Sequence, residues 1–552
     1  MGPLAKLFEA VLELCAPLIM AAIIDNGVRL GVSYVVKNAV LMVLIGIVGL
    51  ASALVCQYMG SKASQEIGTD LRNVIFAKIN TYSSETLDKF GTSTLITRLN
   101  NDVIQVQTAV AMAIRLAVRA PFLIIGAAVM SLFIDLRLSA VFIILIPSIA
   151  LSLYLVTIKT VPLYRLIQGK LDRITASFTE HIAGIRVIRA FNTEEREAEE
   201  FSSRNADYRN NITKTSRISA LLNPVTFLFT NLAVAFILYA GSRQIAAGTL
   251  TTGELIAFIG YLTQISLTMG VLANLIVIFT KASASSSRIM EVLDVNTSVP
   301  NGIIDFTSKN ITSSILEFKN VNFRYSGAET DTLSAISFSA FERETIAIVG
   351  STGSGKSTLV NLIPRFYEFS SGNITLSGKS IRDYGLRELR EKVRVVPQKS
   401  VLFTGNVLEN LRFGSRFADA KTAAKALEIA CLPKDRINVD TPVSSGGKNF
   451  SGGERQRLAI ARAIIHGETA PEIVIFDDSF SALDRSTEKT LRSNLREYLP
   501  NSMFIIITER ITSIQDADKI LLLEDGKIVG IGTHDELLAE NEFYRSIYES
   551  QK

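Results

Sequence analysis

Cysteine and histidine are almost absent, with 3 cysteines and 3 histidines in 552 residues. Cys15, Cys56 and Cys431 are odd in number and far apart, which argues against a disulfide framework and a cysteine-built metal centre. A reducing surrounding for the soluble part follows. His181, His466 and His534 share no metal-ligand spacing. Excess charge is missing too: the net charge is +4 at pH 7, so no nucleic acid partner is called for. There is no long-range repeat and no low-complexity segment. The apolar start runs into a full hydrophobic segment without a small-residue cleavage pattern, so no cleavable signal is expected.

What is abundant is apolar length. Hydrophobic residues make up 48% and the mean hydropathy is +0.30. The chain is too long for one core, so at least two domains are expected. A bilayer core takes about 20 mostly apolar residues per helix. Windows at 7–24, 38–57, 138–158, 223–241 and 255–280 meet this, the first being weakest because it carries Glu9 and Glu13, and 120–134 is shorter but can extend backwards past Arg119. Six spans are expected. Short gaps follow the odd spans. Long polar gaps at 60–108 and 159–222, rich in Arg and Lys and helical in period, follow the second and fourth. Basic residues concentrate on the cytoplasmic side, which places the long gaps, both termini and the C-terminal half inside. Among polar residues in the spans, Gln57, Asn223, Asn231, Gln264 and Asn274 read as glue between helices. Arg119 is the candidate to line a substrate path, because an unpaired charge in lipid is costly.

After residue 281 the composition turns polar and reads as an exit from the membrane. From Ile315 short apolar runs alternate with amphipathic stretches, an α/β pattern with a largely parallel sheet. The clearest strands are 345–350, 394–398, 472–478, 503–509 and 519–532. "GSTGSGKST", residues Gly350, Ser351, Thr352, Gly353, Ser354, Gly355, Lys356, Ser357 and Thr358, directly follows a strand. Its glycines let backbone amides curl round phosphates. Lys356 would reach the β- and γ-phosphates, and Ser357 would ligate Mg²⁺. "SGGE", Ser451 to Glu454, reads as a bare turn opening a helix, a second phosphate-ready N-terminus. "IVIFDD" ends a buried strand in two acids, Asp477 and Asp478.

Together these motifs resemble the ABC transporter family, specifically an exporter half-transporter with its membrane domain fused ahead of its ATPase domain. The resemblance covers essentially the whole chain. It implies about six transmembrane helices (1–285), a linker (286–313) and an α/β P-loop ATP-binding cassette domain (314–552). It implies ATP and Mg²⁺ as cofactors, an integral protein of a bacterial or archaeal cytoplasmic membrane, and a small amphiphilic substrate, drug or lipid. By the same resemblance, Tyr325 stacks on adenine, Gln398 touches Mg²⁺, and Asp477 holds Mg²⁺ through water. Ser451, Gly452, Gly453 and Glu454 contact the ATP of a second chain, and Asp484 in "SALD" speaks across the dimer. Residues 90–103 and 189–201 look like the two intracellular coupling segments.

Five departures stand out. Competent members carry a glutamate base where this chain has Asp478, one methylene shorter. They carry a γ-phosphate histidine where it has Glu509. Shorter reach and a misplaced negative charge both work against hydrolysis. The expectation is a degenerate half-site, completed by a different half-transporter in a heterodimer. Glu454 stands where glutamine is usual. The stretch 441–450 also departs from the pattern before the signature turn. Few residues precede the first span, so a shortened start is expected. Two alternatives stay open: a regulatory or sensor subunit that binds ATP without transporting, and a homodimeric exporter using Asp478 as base.

Overall fold

The computed structural model describes residues 2–295, 302, 314–467 and 469–551. Contacts divide the chain into two units, one of residues 1–78 and 93–295, the other of 79–92 and 296–552.

Six helices of the first unit are long and apolar enough to cross a membrane. They are Gly2–Leu30, Val32–Ile79, Thr92–Ile134, Leu136–Ala183, Glu194–Ala246 and Thr252–Leu293. The polar stretches expected as gaps are for the most part continuations of these spans. The second and fourth helices run 48 residues each, about 70 Å at 1.5 Å per residue. That is more than twice the ~30 Å hydrocarbon core. The turns after the first, third and fifth helices are short. Gly31 alone separates the first two helices, at φ +76°, a left-handed conformation that glycine adopts without a Cβ clash. Asp135 separates the third from the fourth and caps it, accepting from Leu138 N–H at 2.7 Å. Thr251 and Glu254 form a reciprocal capping box on the sixth. The sixth helix continues past residue 285 to Leu293. The rest of the expected linker lies outside the described residues, except 294, 295 and 302.

Lipid offers no hydrophobic drive for helix association, so close packing and internal polar contacts must supply it. Gly126 lets Leu14 approach to where a Cβ would sit 2.4 Å away, and Tyr261 donates to the Leu14 carbonyl at 2.7 Å. The third helix contains two widened π turns, Arg98–Asp102 and Ala113–Ala117. The first carries two buried charges. Asp102 accepts from Arg288, with 2.9 Å from its Nε, and Arg98 pairs with Glu291 at 2.8 Å. Both partners lie on the sixth helix. Arg119 is not the unpaired charge the sequence implied. It meets Glu13 of the first helix at 2.6 Å, and so is no isolated charge in lipid.

The second unit holds strands β1 (Leu316–Phe323), β2 (Leu333–Ala340), β3 (Thr345–Gly350), β4 (Ser371–Leu376), β5 (Lys379–Ser380), β6 (Val393–Val396), β7 (Gly405–Asn406), β8 (Pro442–Val443), β9 (Ile473–Asp477), β10 (Met503–Ile507), β11 (Lys519–Glu524) and β12 (Lys527–Gly532). A six-stranded sheet runs β12-β11-β3-β10-β9-β6, parallel except for its β12 edge. The stretch 519–532, read as one strand, is a hairpin folded at Asp525 and Gly526, both at positive φ. A four-stranded antiparallel sheet, β2-β1-β4-β5, was not anticipated. β3 and β10 are buried at every residue. Ile346 and Ile348 face one apolar cluster while Ala347 and Val349 face the other. This is the two-residue period of a strand covered on both faces.

The second unit includes a short helix, Ser84–Phe90, capped by Ser83 and stopped at Gly91. Tyr367 donates to Asp88 on this helix at 2.6 Å. The stretch 90–103, expected as the first coupling segment, spans the end of this short helix, Gly91 and the start of the third long helix, and residues 79–92 group with the second unit.

Asp25 pins the start of the sixth helix, accepting from Gly253 N–H at 2.7 Å and Thr251 Oγ1 at 2.6 Å. Asp25→Ala should cost about 1–2 kcal/mol, and Asp25→Asn less, read as the shift in thermal unfolding of the detergent-solubilised protein.

Candidate functional site

The six buried residues of β3 deliver the chain to Gly350, where the sheet ends and the loop 350–358 begins. A Cβ on Gly350 would lie 2.1 Å from the Leu523 carbonyl of β11, so only glycine fits. Gly353 and Gly355 sit at φ +86° and +96°. The loop curls back and opens the helix Lys356–Leu362. Lys356 folds over it, donating to the carbonyls of Gly350 at 2.9 Å and Ser351 at 2.7 Å. Ser354 Oγ is buried without a hydrogen-bond partner among the described residues, a polar atom that suits an oxygen-rich ligand.

A cleft of about 290 Å³ opens on this loop. The loop supplies Thr352, Gly353, Gly355, Lys356, Ser357 and Thr358; Gln398, Asp477, Asp478 and Glu509 come from the ends of β6, β9 and β10. Four strands of one sheet thus bring residues 352–358, 398, 477–478 and 509 to one edge. A larger cavity of about 910 Å³ lies elsewhere, under the helix Arg485–Tyr498, and includes none of these groups.

Ser357 Oγ donates to Asp477 Oδ1 at 3.0 Å. Burial pushes the Asp477 carboxyl up; the Ser357 bond opposes this, the neighbouring Asp478 adds to it, and the net is upward. Burial pulls the Lys356 ammonium down, against the opposing pull of Glu509, Asp477 and Asp478. A buried cation and two adjacent carboxylates therefore share a small space, an arrangement suited to a divalent cation and phosphate oxygens. Asp478 stands at φ +47°, where aspartate is one of the few tolerated side chains. Its N–H donates to the Ile507 carbonyl at 3.0 Å, fixing it against β10.

Glu509 sits at the mouth. Its Oε1 accepts from Thr352 Oγ1 at 3.0 Å and lies 3.8 Å from Lys356 Nζ. Its backbone is held by Gln551, which donates to the Glu509 carbonyl at 2.5 Å and accepts from Ile511 N–H at 2.8 Å. Gln551, 42 residues past Glu509, and Thr332, another cleft residue, carried no sequence signal, because neither belongs to a recognisable motif.

Tyr325 is not among the cleft residues. Its hydroxyl is 3.1 Å from Thr358 Oγ1, and its ring packs edge-on to Phe323 and Tyr367 at 4.8 and 5.3 Å. Ser451, Gly452, Gly453, Glu454 and Asp484 also lie outside the cleft. Ser451 caps the helix Gly452–Ile464: Glu454 N–H donates to its Oγ at 3.3 Å, and Ser451 N–H donates to Glu454 Oε2 at 2.7 Å. Glu454 Oε1 also pairs with Arg436 at 2.9 Å. Burial raises this carboxyl, but the Ser451 bonds and the Arg436 and Arg457 guanidiniums outweigh it and hold it below the usual 4.5. Asp484 caps the helix Arg485–Tyr498, accepting from Thr487 N–H at 2.9 Å and from Ser486. Gln456 accepts from Ala482 N–H at 3.3 Å, so the two helix starts are linked within the chain.

Residues 1–269 match the ABC transporter transmembrane region, and residues 333–481 match the ABC transporter ATPase region. An uncharacterized ABC transporter ATP-binding protein of Bacillus subtilis, YfiB, is 36% identical over 99% of this chain and 95% of its own length. The ATP-dependent lipid A-core flippase of Photobacterium profundum is 30% identical over 93% and 86%. A solved bacterial Atm1-family ABC exporter with ATP bound superposes with a TM-score of 0.81 over 100% of this chain and 97% of that one, at 24% identity.

Glu454 contributes stability as a carboxylate at a helix N-terminus. Because its folded value is depressed, that contribution is complete above the ordinary carboxylate range and is lost as pH falls through the lower folded value. Glu454→Gln should lower stability by about 1 kcal/mol at pH 7. The gap to wild type should hold to about pH 5 and close towards pH 3, measured by denaturant unfolding at each pH.

Proposed function

The chain belongs to the ABC transporter family, with membrane and ATPase regions fused, and on that premise we propose that it exports a small amphiphile as one half of a heterodimer. It is a transport ATPase with an exporter fold and an ATP-binding domain. In the proposed assembly the loop 350–358 holds ATP, with Lys356 on its phosphates. Mg²⁺ at Ser357, Asp477 and Gln398 would neutralise phosphate charge. The SGG turn of a second chain completes this site, and Ser451–Gly453 serve that chain's nucleotide in return. The amphiphile is of the drug or lipid class, and the ATPase domain and both termini lie on the cytoplasmic side of a bacterial or archaeal membrane.

The observation that carries the division of labour is Glu509 seated on the loop, 3.0 Å from Thr352 and 3.8 Å from Lys356. A γ-phosphate entering there must displace a like charge from its own lysine. Glu509 is 63% exposed, so the repulsion is closer to the ~1 kcal/mol of solvated charges 4 Å apart than to a buried value. That weakens ATP binding without abolishing it. Hydrolysis suffers more: a well-placed general base contributes about 10²–10⁴-fold, and Asp478 has one methylene less reach than glutamate. ATP therefore persists at this site while the other turns over.

The homodimer reading has one observation in its favour: loop 350–358 and Ser451–Gly453 are both present in this chain, so two copies would complete two sites. The test separates the readings. In a complex whose second chain has lost its own catalytic carboxylate, ATPase should fall to about a hundredth. Asp478→Glu with Glu509→His should then restore it at least tenfold. Brisk ATPase by this chain alone, abolished by Asp478→Asn, would establish the homodimer instead. ATP-dependent uptake of a fluorescent amphiphile into inverted vesicles checks transport against a sensor role.

A further inference from the structure

A cavity of about 300 Å³ lies between the first, second and third membrane helices. Glu9, Glu13 and Arg119 line it together with Leu12, Met42 and Ile45. Its charges form closed pairs: Arg119 meets Glu13 at 2.6 Å, and Lys6 meets Glu9 at 2.6 Å. The Arg119 side chain is 23% exposed and that of Glu13 is 39%. Arg119 Nε is buried and has no hydrogen-bond partner among the described residues. One donor of this guanidinium is thus left over at a depth where water is scarce, and such a donor is costly unless a ligand oxygen takes it.

We propose that this cavity is the headgroup subsite for a zwitterionic amphiphile, its anionic group on Arg119 and its ammonium on Glu13. The inference rests on the export reading above and names the substrate class. Charge balance selects the zwitterion. An anion alone would draw Arg119 away and strand Glu13, and a cation alone would strand Arg119. A charge stripped of its partner within a membrane span is costly. A zwitterion exchanges one internal pair for two intermolecular pairs and strands nothing. Size agrees, since about 300 Å³ is at the small end of ligand pockets and suits a headgroup rather than whole acyl chains. The chains would lie outside, along exposed apolar residues of the second helix such as Val40, Val43 and Ile47. Depth agrees as well. Arg119 lies 15 residues before Ile134, about 22 Å along the helix, in the half of the span away from the turn at Asp135. Gly46 and Gly49 form the open wall, where an added Cβ would meet nothing within 4 Å.

The test uses the full chain in its complex, in nanodiscs, without ATP. Three fluorescent probes with identical acyl chains carry phosphocholine, phosphoglycerol or trimethylammonium headgroups. The phosphocholine probe should bind at least tenfold tighter than either singly charged probe. Glu13→Gln and Arg119→Gln should each cost that preference about tenfold. Should either variant unfold, Gly46→Leu narrows the cavity from its open side, where an added Cβ has room, and should weaken phosphocholine binding by a similar factor. Equal binding of all three probes, or wild-type affinity in Gly46→Leu, would overturn the site. Competition by tail-less phosphocholine at equal affinity would overturn the amphiphile assignment. ATP-driven accumulation of another dye without phosphocholine binding sinks the subsite alone. Binding without any ATP-driven transport sinks the export reading and leaves the subsite.

Discussion

Everything at the nucleotide cleft depends on one covered strand. β3 is buried along all six residues, with a parallel neighbour on each side, and it can end only where Gly350 passes under the Leu523 carbonyl. That fixed end aims the phosphate loop. Because β9 and β10 run parallel to β3, their C-terminal ends arrive at the same edge, with Asp477 paired in register to Ile507 and Ile507 to Ile348. The acids at 477 and 478 and Glu509 are therefore placed by sheet register, not by local preference. Their backbone positions follow from the strands and not from which side chain stands at each.

Much of this was legible from residue pattern. Six apolar windows gave six helices long and apolar enough to cross a membrane, and "TIAIVG" followed by "GSTGSGKST" gave a buried strand, a loop and a helix. Both signals are local: hydrophobic run length in one case, glycine spacing after β-branched residues in the other. What escaped was non-local. The pairing of Arg119 with Glu13 joins residues 106 apart, and nothing within either helix announces it. The same holds for Gln551 beneath Glu509 and for Tyr367 on Asp88. The hairpin at 525–526 was missed because apolar residues continue on both sides of a two-residue turn. The antiparallel sheet β2-β1-β4-β5 has half-polar strands whose alternation is interrupted by register shifts along β1, which weakens the periodic signal.

The signature turn shows how one substitution can serve structure and contact at once. With glutamate at 454, the helix start gains a full negative charge against its positive end, plus a bond to Arg436. Ser451 is committed as the cap, its hydroxyl oxygen accepting from the Glu454 N–H. Rigidity at this turn matters because the contact proposed for it is made with another molecule, and an ordered surface loses less entropy on association.

The junction at Gly31 carries a mechanical consequence. A helix of 29 residues and one of 48 are tied by a single residue, and one residue of chain spans at most about 3.5 Å. Neither rod can slide past the other by even one turn of its pitch. Their shared end can only pivot, so any stroke delivered at the far tip of the longer rod becomes an angular swing about this point.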